Sequence, residues 1–339
     1  MTASTNPKTK TTGKTDSGGS TTNTNPTPTK KVAKKATAKT TDIQQVNGLT
    51  DREQEISLSV LADLIPDSTI ADEYVHRAIE GYEDFEILDL ARDHKWNVLL
   101  NGPTGTGKSH FFRAYGATHG IPVATVSCHG AADPALWFGG YRPLPNESGG
   151  TDWIWVDGIV TTILRHGGVL FFDELNFCPE DITASLHQIL RERELILLEK
   201  GNEVVRAHED VLICAAYNPG YGGTRELNEA LSNRFAIKVD WDYDGDVEEA
   251  LFVPEPLLEF AKQLRACREI DTPIPTNALV ELDLLAQATD EAFAKRNFLQ
   301  RFRVDERAKV EELWTLRAAN IDGWNAVDAD DDESDEDTF

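Results

Sequence analysis

Cysteine is scarce: Cys128, Cys178, Cys214 and Cys267 are the only four in 339 residues, and they are widely spaced. That excludes a disulfide framework, and no CxxC pair is present to hold zinc. No run of 18 apolar residues occurs, which excludes a conventional helical membrane span. The opening MTASTNPKTKTTGKTDSGG has no apolar stretch of the kind a secretory leader needs. Internal repeats are absent, and no Ser-His-Asp spacing supports a hydrolase of that type. These absences predict a cytoplasmic chain with reduced, mostly buried thiols and no membrane association.

Basic residues are also in short supply, and the formal net charge is −25. The imbalance is uneven. Residues 1–41 carry eight lysines and one aspartate, and residues 326–339 carry eight acids and no base. The body between them is strongly acidic, which argues against a broad nucleic-acid-binding surface but leaves room for a local basic channel. Residues 1–41 and the acidic end have almost no apolar side chains. They cannot bury enough surface to offset chain entropy, so both read as disordered tails.

What the sequence does contain is an alternation of apolar runs and helical patterns. The runs are Asn97–Leu100, Ile121–Ser127, Val169–Phe172, Val211–Ala216 and Phe235–Val239. They are apolar nearly throughout, as strands buried on both faces of a parallel sheet must be. Helices are expected over Lys108–Thr118 and Pro179–Arg193. Beyond residue 246 the strand patterns stop, and Leu257–Arg268, Ala278–Arg296 and Asp305–Ala319 have helical periodicity. The expected organisation is a tail at 1–41, an α/β nucleotide-binding domain at 42–245 with a helical lead-in at 52–93, a helical lid at 246–322 and an acidic tail at 323–339.

Chemistry concentrates at the ends of the apolar runs. Gly102-Pro103-Thr104-Gly105-Thr106-Gly107-Lys108-Ser109 fits GxxxxGK(S/T) and lies between a strand pattern and a helix pattern. Its glycines let backbone N–H groups converge on phosphate oxygens at a helix N-terminus. Lys108 would reach the terminal phosphates, and the Ser109 hydroxyl would bind Mg²⁺. The run Val169–Phe172 ends in Asp173-Glu174. In a parallel sheet the carboxyl ends of the strands form the ligand crevice, so this pair would share an edge with the phosphate loop. Asp173 would hold Mg²⁺ and Glu174 would act as general base on a water. The run Val211–Ala216 leads to Tyr217-Asn218-Pro219-Gly220, where Asn218 can bridge terminal phosphate and water. Arg234, at the end of LNEALSNRF, is a candidate arginine finger or a helix-terminal arginine favoured by the dipole.

GPTGTGKS, VLFFDELN, VLICAAYNPGYGG and LNEALSNRF, in that order, resemble the AAA+ ATPases of the MoxR group, and most closely the CbbQ/NorQ/NirQ/GvpN branch. The resemblance covers 95–245 well and the helical part to about 319 in outline. It implies a hexameric ring that binds and hydrolyses ATP with Mg²⁺. Lys108, Ser109, Asp173, Glu174 and Asn218 would serve one site in cis, with Arg234 offered in trans. It further implies a remodeller of a protein client, often with a von Willebrand A-type partner. Insertions at Tyr141–Gly158, with Trp153 and Trp155, and at Leu195–His208 would look toward a ring pore, although core packing is an equal reading for the two tryptophans. Asn277 stands where the family's lid usually has a phosphate-sensing arginine; either Arg296, Arg301 or Arg303 replaces it or the sensor is absent. The alternative reading is a nucleic-acid motor or loader of the same fold, possibly using GTP.

Overall fold

The computed structural model describes residues 49–128, 133–146, 148–219, 227–251 and 253–321. Both expected tails lie outside these residues, as do Gly220 and Tyr221 of the asparagine-terminated motif.

The lead-in begins with helix α1 (Asp51–Asp63), whose first turn is closed by a reciprocal capping box between Thr50 and Glu53. A short helix α2 (Thr69–Asp72), a two-stranded ribbon of β1 (Ala78–Ile79) and β2 (Tyr82–Glu83), and helix α3 (Asp84–His94) follow. The central part then runs β3 (Val98–Asn101), α4 (Lys108–His119), β4 (Val123–Ser127), α5 (Pro134–Trp137), β5 (Gly139–Pro145), β6 (Thr151–Asp157), α6 (Ile159–His166) and β7 (Gly168–Asp173). It continues through α7 (Glu180–Glu192), β8 (Glu194–Leu197), β9 (Glu203–Arg206), β10 (Val211–Tyr217), α8 (Glu229–Ser232) and β11 (Ile237–Asp240).

Five of these strands form one sheet in the order β11-β3-β10-β7-β4, parallel at every pairing. Side chains alternate between its faces. Leu99, Leu170, Phe172, Ile213 and Ala215 join one buried cluster with α6 and α7. Val98, Leu100, Val169, Phe171, Leu212 and Cys214 join the other with α3 and α4. Burial on both faces explains why β7 is apolar until Asp173. Each fully buried Phe there contributes about 1.5–3 kcal/mol. Cys128, Cys178 and Cys214 are buried free thiols, and Cys267 is half-buried.

The lid-like region comprises α9 (Gly245–Ala250), α10 (Glu255–Ala266), α11 (Thr276–Ala288), α12 (Glu291–Leu299) and α13 (Val304–Ile321), around a separate core that includes Leu257, Phe260, Leu279, Phe298 and Trp314. The single helix expected over Ala278–Arg296 is two helices. Asp290 leaves helical conformation and accepts a hydrogen bond from Phe293 N at 2.8 Å, starting α12 as an N-cap. The fifth strand begins two residues later than expected, because Phe235 is buried in the turn closing α8.

Both insertions are antiparallel hairpins, β5–β6 and β8–β9. The Lys200-Gly201-Asn202 turn lies where expected, with Gly201 and Asn202 at positive φ. The two tryptophans share one face of β6 but differ in depth: Trp155, opposite Tyr141 near the hairpin's base, is 2% exposed, and Trp153, opposite Pro143 nearer the tip, is 69% exposed. Trp155 Nε1 donates to Asp157 Oδ1 at 2.8 Å, and Lys200 Nζ lies 5.7 Å from its ring centroid. Arg165 Nε is 2.8 Å from Asp157 Oδ2, and its Nη1 is 2.7 Å from Glu203 Oε1. One buried charge network therefore ties the base of the β5–β6 hairpin and the turn end of the β8–β9 hairpin to α6. Among the described residues, no helix is long and apolar enough to cross a membrane.

Candidate active site

The loop between β3 and α4 turns tightly through Gly105 (φ +72°) and Gly107 (φ +88°), a left-handed region that only glycine enters at no steric cost. Gly107 is the N-cap of α4, so the loop sits on the positive end of a twelve-residue helix. Gly102 is required for another reason. A Cβ there would lie 1.9 Å from the carbonyl oxygen of Trp241.

Lys108 folds back over this loop. Its Nζ donates to the carbonyls of Gly102 (2.9 Å) and Pro103 (2.6 Å) and to Asn218 Oδ1 (2.8 Å). Burial pushes its ammonium down to about 8, with the Asp173 carboxylate opposing. Asn218 follows directly from β10, whose Tyr217 is in register with Asn101 of β3. Asp173 ends β7, the next strand, and its Oδ2 accepts from Ser109 Oγ at 3.0 Å.

Glu174 adopts a left-handed conformation (φ 54°, ψ 42°), which costs a non-glycine residue on the order of 1 kcal/mol or more. Its N–H donates to Asp173 Oδ1 at 2.9 Å, and the next residue, Leu175, is anchored in the core. The chain is thus bent sharply at the strand end. Thr104, Gly105, Gly107, Lys108, Ser109, Asp173, Glu174 and Asn218 line one cavity of about 220 Å³. Pro103 and Thr106 belong to the loop wall: Thr106 Oγ1 donates to Pro103 O at 3.0 Å.

Next to this cavity is a second of about 400 Å³, sharing Gly105, Gly107 and His110 with it. It is lined largely by apolar side chains, Val75, Val247, Leu251 and Val280 among them. The two form a polar compartment joined to an apolar one, the shape a nucleotide's phosphates and base would fill. A larger groove of about 600 Å³ runs beside β11 and lacks the loop's lysine and the acidic pair.

Arg234 lies outside the phosphate-side cavity, with its Nη1 hydrogen-bonded to the Ala230 carbonyl within its own turn. Asn277, at the start of α11, lines the apolar cavity. None of Arg296, Arg301 and Arg303 lines the phosphate side: Arg301 pairs with Glu281, and Arg303 with Asp271 and Glu306.

Sequence reasoning missed the residues that hold the loop from outside. Tyr243 Oη donates to Thr104 O at 3.1 Å, and Thr276 N to Gly105 O at 3.3 Å. Arg77 Nη2 and Trp241 Nε1 both donate to Thr106 O, at 2.6 and 2.9 Å. The aromatic-acidic run Trp241-Asp242-Tyr243-Asp244 directly after the last strand was the one available signal; Arg77 left none.

A parallel sheet, a glycine loop ending in a lysine and a serine, and an acidic pair at the end of β7 define a P-loop nucleoside triphosphatase. Residues 97–235 match the model of the AAA domain (dynein-related subfamily). The chain is 30% identical over 227 residues to an uncharacterized protein of Staphylococcus haemolyticus, covering 62% of this chain and 86% of that protein. An uncharacterized protein of Staphylococcus aureus is 30% identical over 204 residues, covering 60% and 75%. Among solved structures, a putative ATPase from Cytophaga hutchinsonii gives a TM-score of 0.41 at 15% identity, covering 76% of this chain and 87% of that one. NtrX from Brucella abortus in complex with ADP gives 0.35 at 19% identity, covering 68% and 48%. The chain belongs to one family with the staphylococcal proteins, and its core is an AAA domain of the ATP-binding and ATP-hydrolysing P-loop class.

Proposed function

We propose that this chain is a Mg²⁺-dependent ATPase of MoxR type that works in a hexameric ring to remodel a protein client. The observation that carries the catalytic part is the single cavity shared by the glycine loop, Lys108, Ser109, Asp173, Glu174 and Asn218. These side chains arrive from three neighbouring strand ends, and phosphoryl transfer needs little beyond charge neutralisation and in-line positioning. The loop N–H groups and Lys108 bind the β- and γ-phosphates. The Ser109 hydroxyl and Asp173 carboxylate are an oxygen pair 3.0 Å apart, the donor chemistry a hard divalent cation requires. Mg²⁺ bound there would supply neutralisation of phosphate charge. Glu174 takes the proton of the attacking water, and Asn218 holds that water against the terminal phosphate.

Arg234 serves a neighbouring subunit. Its position outside its own phosphate cavity supports that role, and such an arginine is worth about 10³–10⁵ in rate. The exposed Trp153 on its braced hairpin supports client contact. A von Willebrand A-type protein as adaptor follows from the MoxR resemblance alone.

Glu174→Gln tests the assignment. ATP binding should persist while turnover falls at least about 10²-fold. Normal hydrolysis by that variant removes Glu174 as the base. Hydrolysis stimulated by DNA, with binding that weakens steeply with salt, would instead favour a nucleic-acid motor, and titration with GTP against ATP fixes the base preference.

A further inference from the structure

A phosphate loop works when its N–H groups point inward, and across a planar trans peptide the carbonyl of one residue points opposite to the N–H of the next. Every carbonyl from Gly102 to Thr106 is held by a donor. Lys108 takes those of Gly102 and Pro103, Tyr243 that of Thr104, and Thr276 that of Gly105. Thr106 O has two donors, the Arg77 guanidinium at 2.6 Å and the Trp241 indole at 2.9 Å. The Thr106–Gly107 peptide leads into Gly107, the N-cap of α4.

Arg77 comes from far along the chain, and its place is built. Asp84, fully buried, accepts from Tyr74 Oη (2.6 Å), from Arg77 N (3.1 Å) and from Phe85 N (2.8 Å), and its Oδ1 lies 2.9 Å from His76 Nδ1. That clamp fixes the backbone at residue 77. The guanidinium then lies 4.5 Å from the Trp241 ring centroid, and its Nη1 donates to Asp242 O at 2.7 Å. Such a planar, always-charged fork polarises the carbonyl it holds far more than a neutral donor would.

We propose that Arg77 is a positioning residue for the triphosphate: by holding the Thr106 carbonyl outward together with Trp241, it aims the Gly107 N–H at the phosphates. This rests on the nucleotide reading above. It assigns a function in that site to a segment 25 residues or more before the glycine motif, where no motif marks it.

The test uses the full chain and measures equilibrium binding of ATP, ADP and adenosine together with KM, kcat and the unfolding midpoint. Arg77→Met should weaken ATP and ADP about tenfold or more while adenosine stays within about twofold. KM should rise by a similar factor with kcat within about threefold, and Arg77→Lys should recover part of the loss. ATP affinity equal to wild type overturns the proposal. So does parallel loss of adenosine and ATP, the mark of a merely structural role. If Arg77→Met does not fold, Trp241→Phe keeps an aromatic side chain while removing the second donor together with the indole's five-membered ring. Because Trp241 also lines the apolar cavity, adenosine is the reference: ATP should weaken about threefold more than adenosine, and an equal effect on the two, or none on ATP, overturns the proposal. A wild-type chain that binds no ATP overturns the nucleotide reading and this inference with it, whereas wild-type binding matched by Arg77→Met overturns this inference alone.

Discussion

The Lys108 ammonium donates to Asn218 Oδ1 at 2.8 Å, joining the phosphate loop to the end of the neighbouring strand β10. The roles proposed for the two residues are separable by mutation. Lys108→Ala should abolish ATP binding at micromolar nucleotide, because a phosphate-facing charge is lost. Asn218→Ala should leave ATP binding within a few-fold and lower kcat about 10²–10³-fold, the range for losing one group that positions the transition state. Equilibrium titration beside steady-state kinetics distinguishes the two.

Gly105 is where the lid meets the loop. A Cβ on it would lie 2.0 Å from Pro275 Cβ, and its φ of +72° disfavours any side chain. Gly105→Ala should push the start of α11 off the loop and weaken ATP binding about tenfold or more. Gly201→Ala is the control: its φ is +67°, but open space surrounds it. It should cost only about 1–2 kcal/mol of stability and leave ATP affinity intact.

Arg165 lies between two carboxylates with almost no exposure of its own side chain. Arg165→Met leaves Asp157 buried without its cation, and breaking such a pair costs about 3–5 kcal/mol. Denaturant unfolding should show that loss. The hairpins should also loosen together, so tryptophan emission from Trp153 and Trp155 should shift before the sheet unfolds.

Glu306 makes the lid sensitive to acid. Burial raises its pKa, but hydrogen bonds from the Thr272 hydroxyl and from the N–H groups of Asp271, Arg303 and Thr272 outweigh that and hold it at about 2. The folded value is below the ordinary 4.5, so the ionised form stabilises the fold. That contribution is complete above about pH 5 and fades as pH falls toward 2. Glu306→Gln should cost about 1–2 kcal/mol at neutral pH. It should also flatten the fall in unfolding midpoint between pH 4.5 and 2, and an unchanged acid profile would remove Glu306 as the cause.

The sheet was legible because its central strands β3, β7 and β10 are buried on both faces, so no polar residue interrupts the runs that end at Asp173 and Asn218. The cavity's chemistry was legible because glycine geometry and charge fix both residue type and spacing. What stayed hidden depends on long-range contact. Arg77 reaches Thr106 across 29 positions and Trp241 across 135, and neither distance leaves a periodicity to read. The break at Asp290 was lost because apolar spacing continues across it, and only the cap hydrogen bond to Phe293 marks the end of one helix and the start of another. Trp153 and Trp155 could not be told apart by residue type or by alternation, since they stand two positions apart on one face of β6; distance from the hairpin's base decides which is buried.

Lys108 and Asn218 follow β3 and β10, and Asp173 ends β7; these are three adjacent strands of one parallel sheet. Neighbouring strands stand about 4.8 Å apart whatever side chains they carry. The main chain therefore works as a ruler, with functional groups marked at successive divisions. Hairpins and lid can diverge in sequence without altering those divisions, so the periphery can change around an unchanged chemical centre.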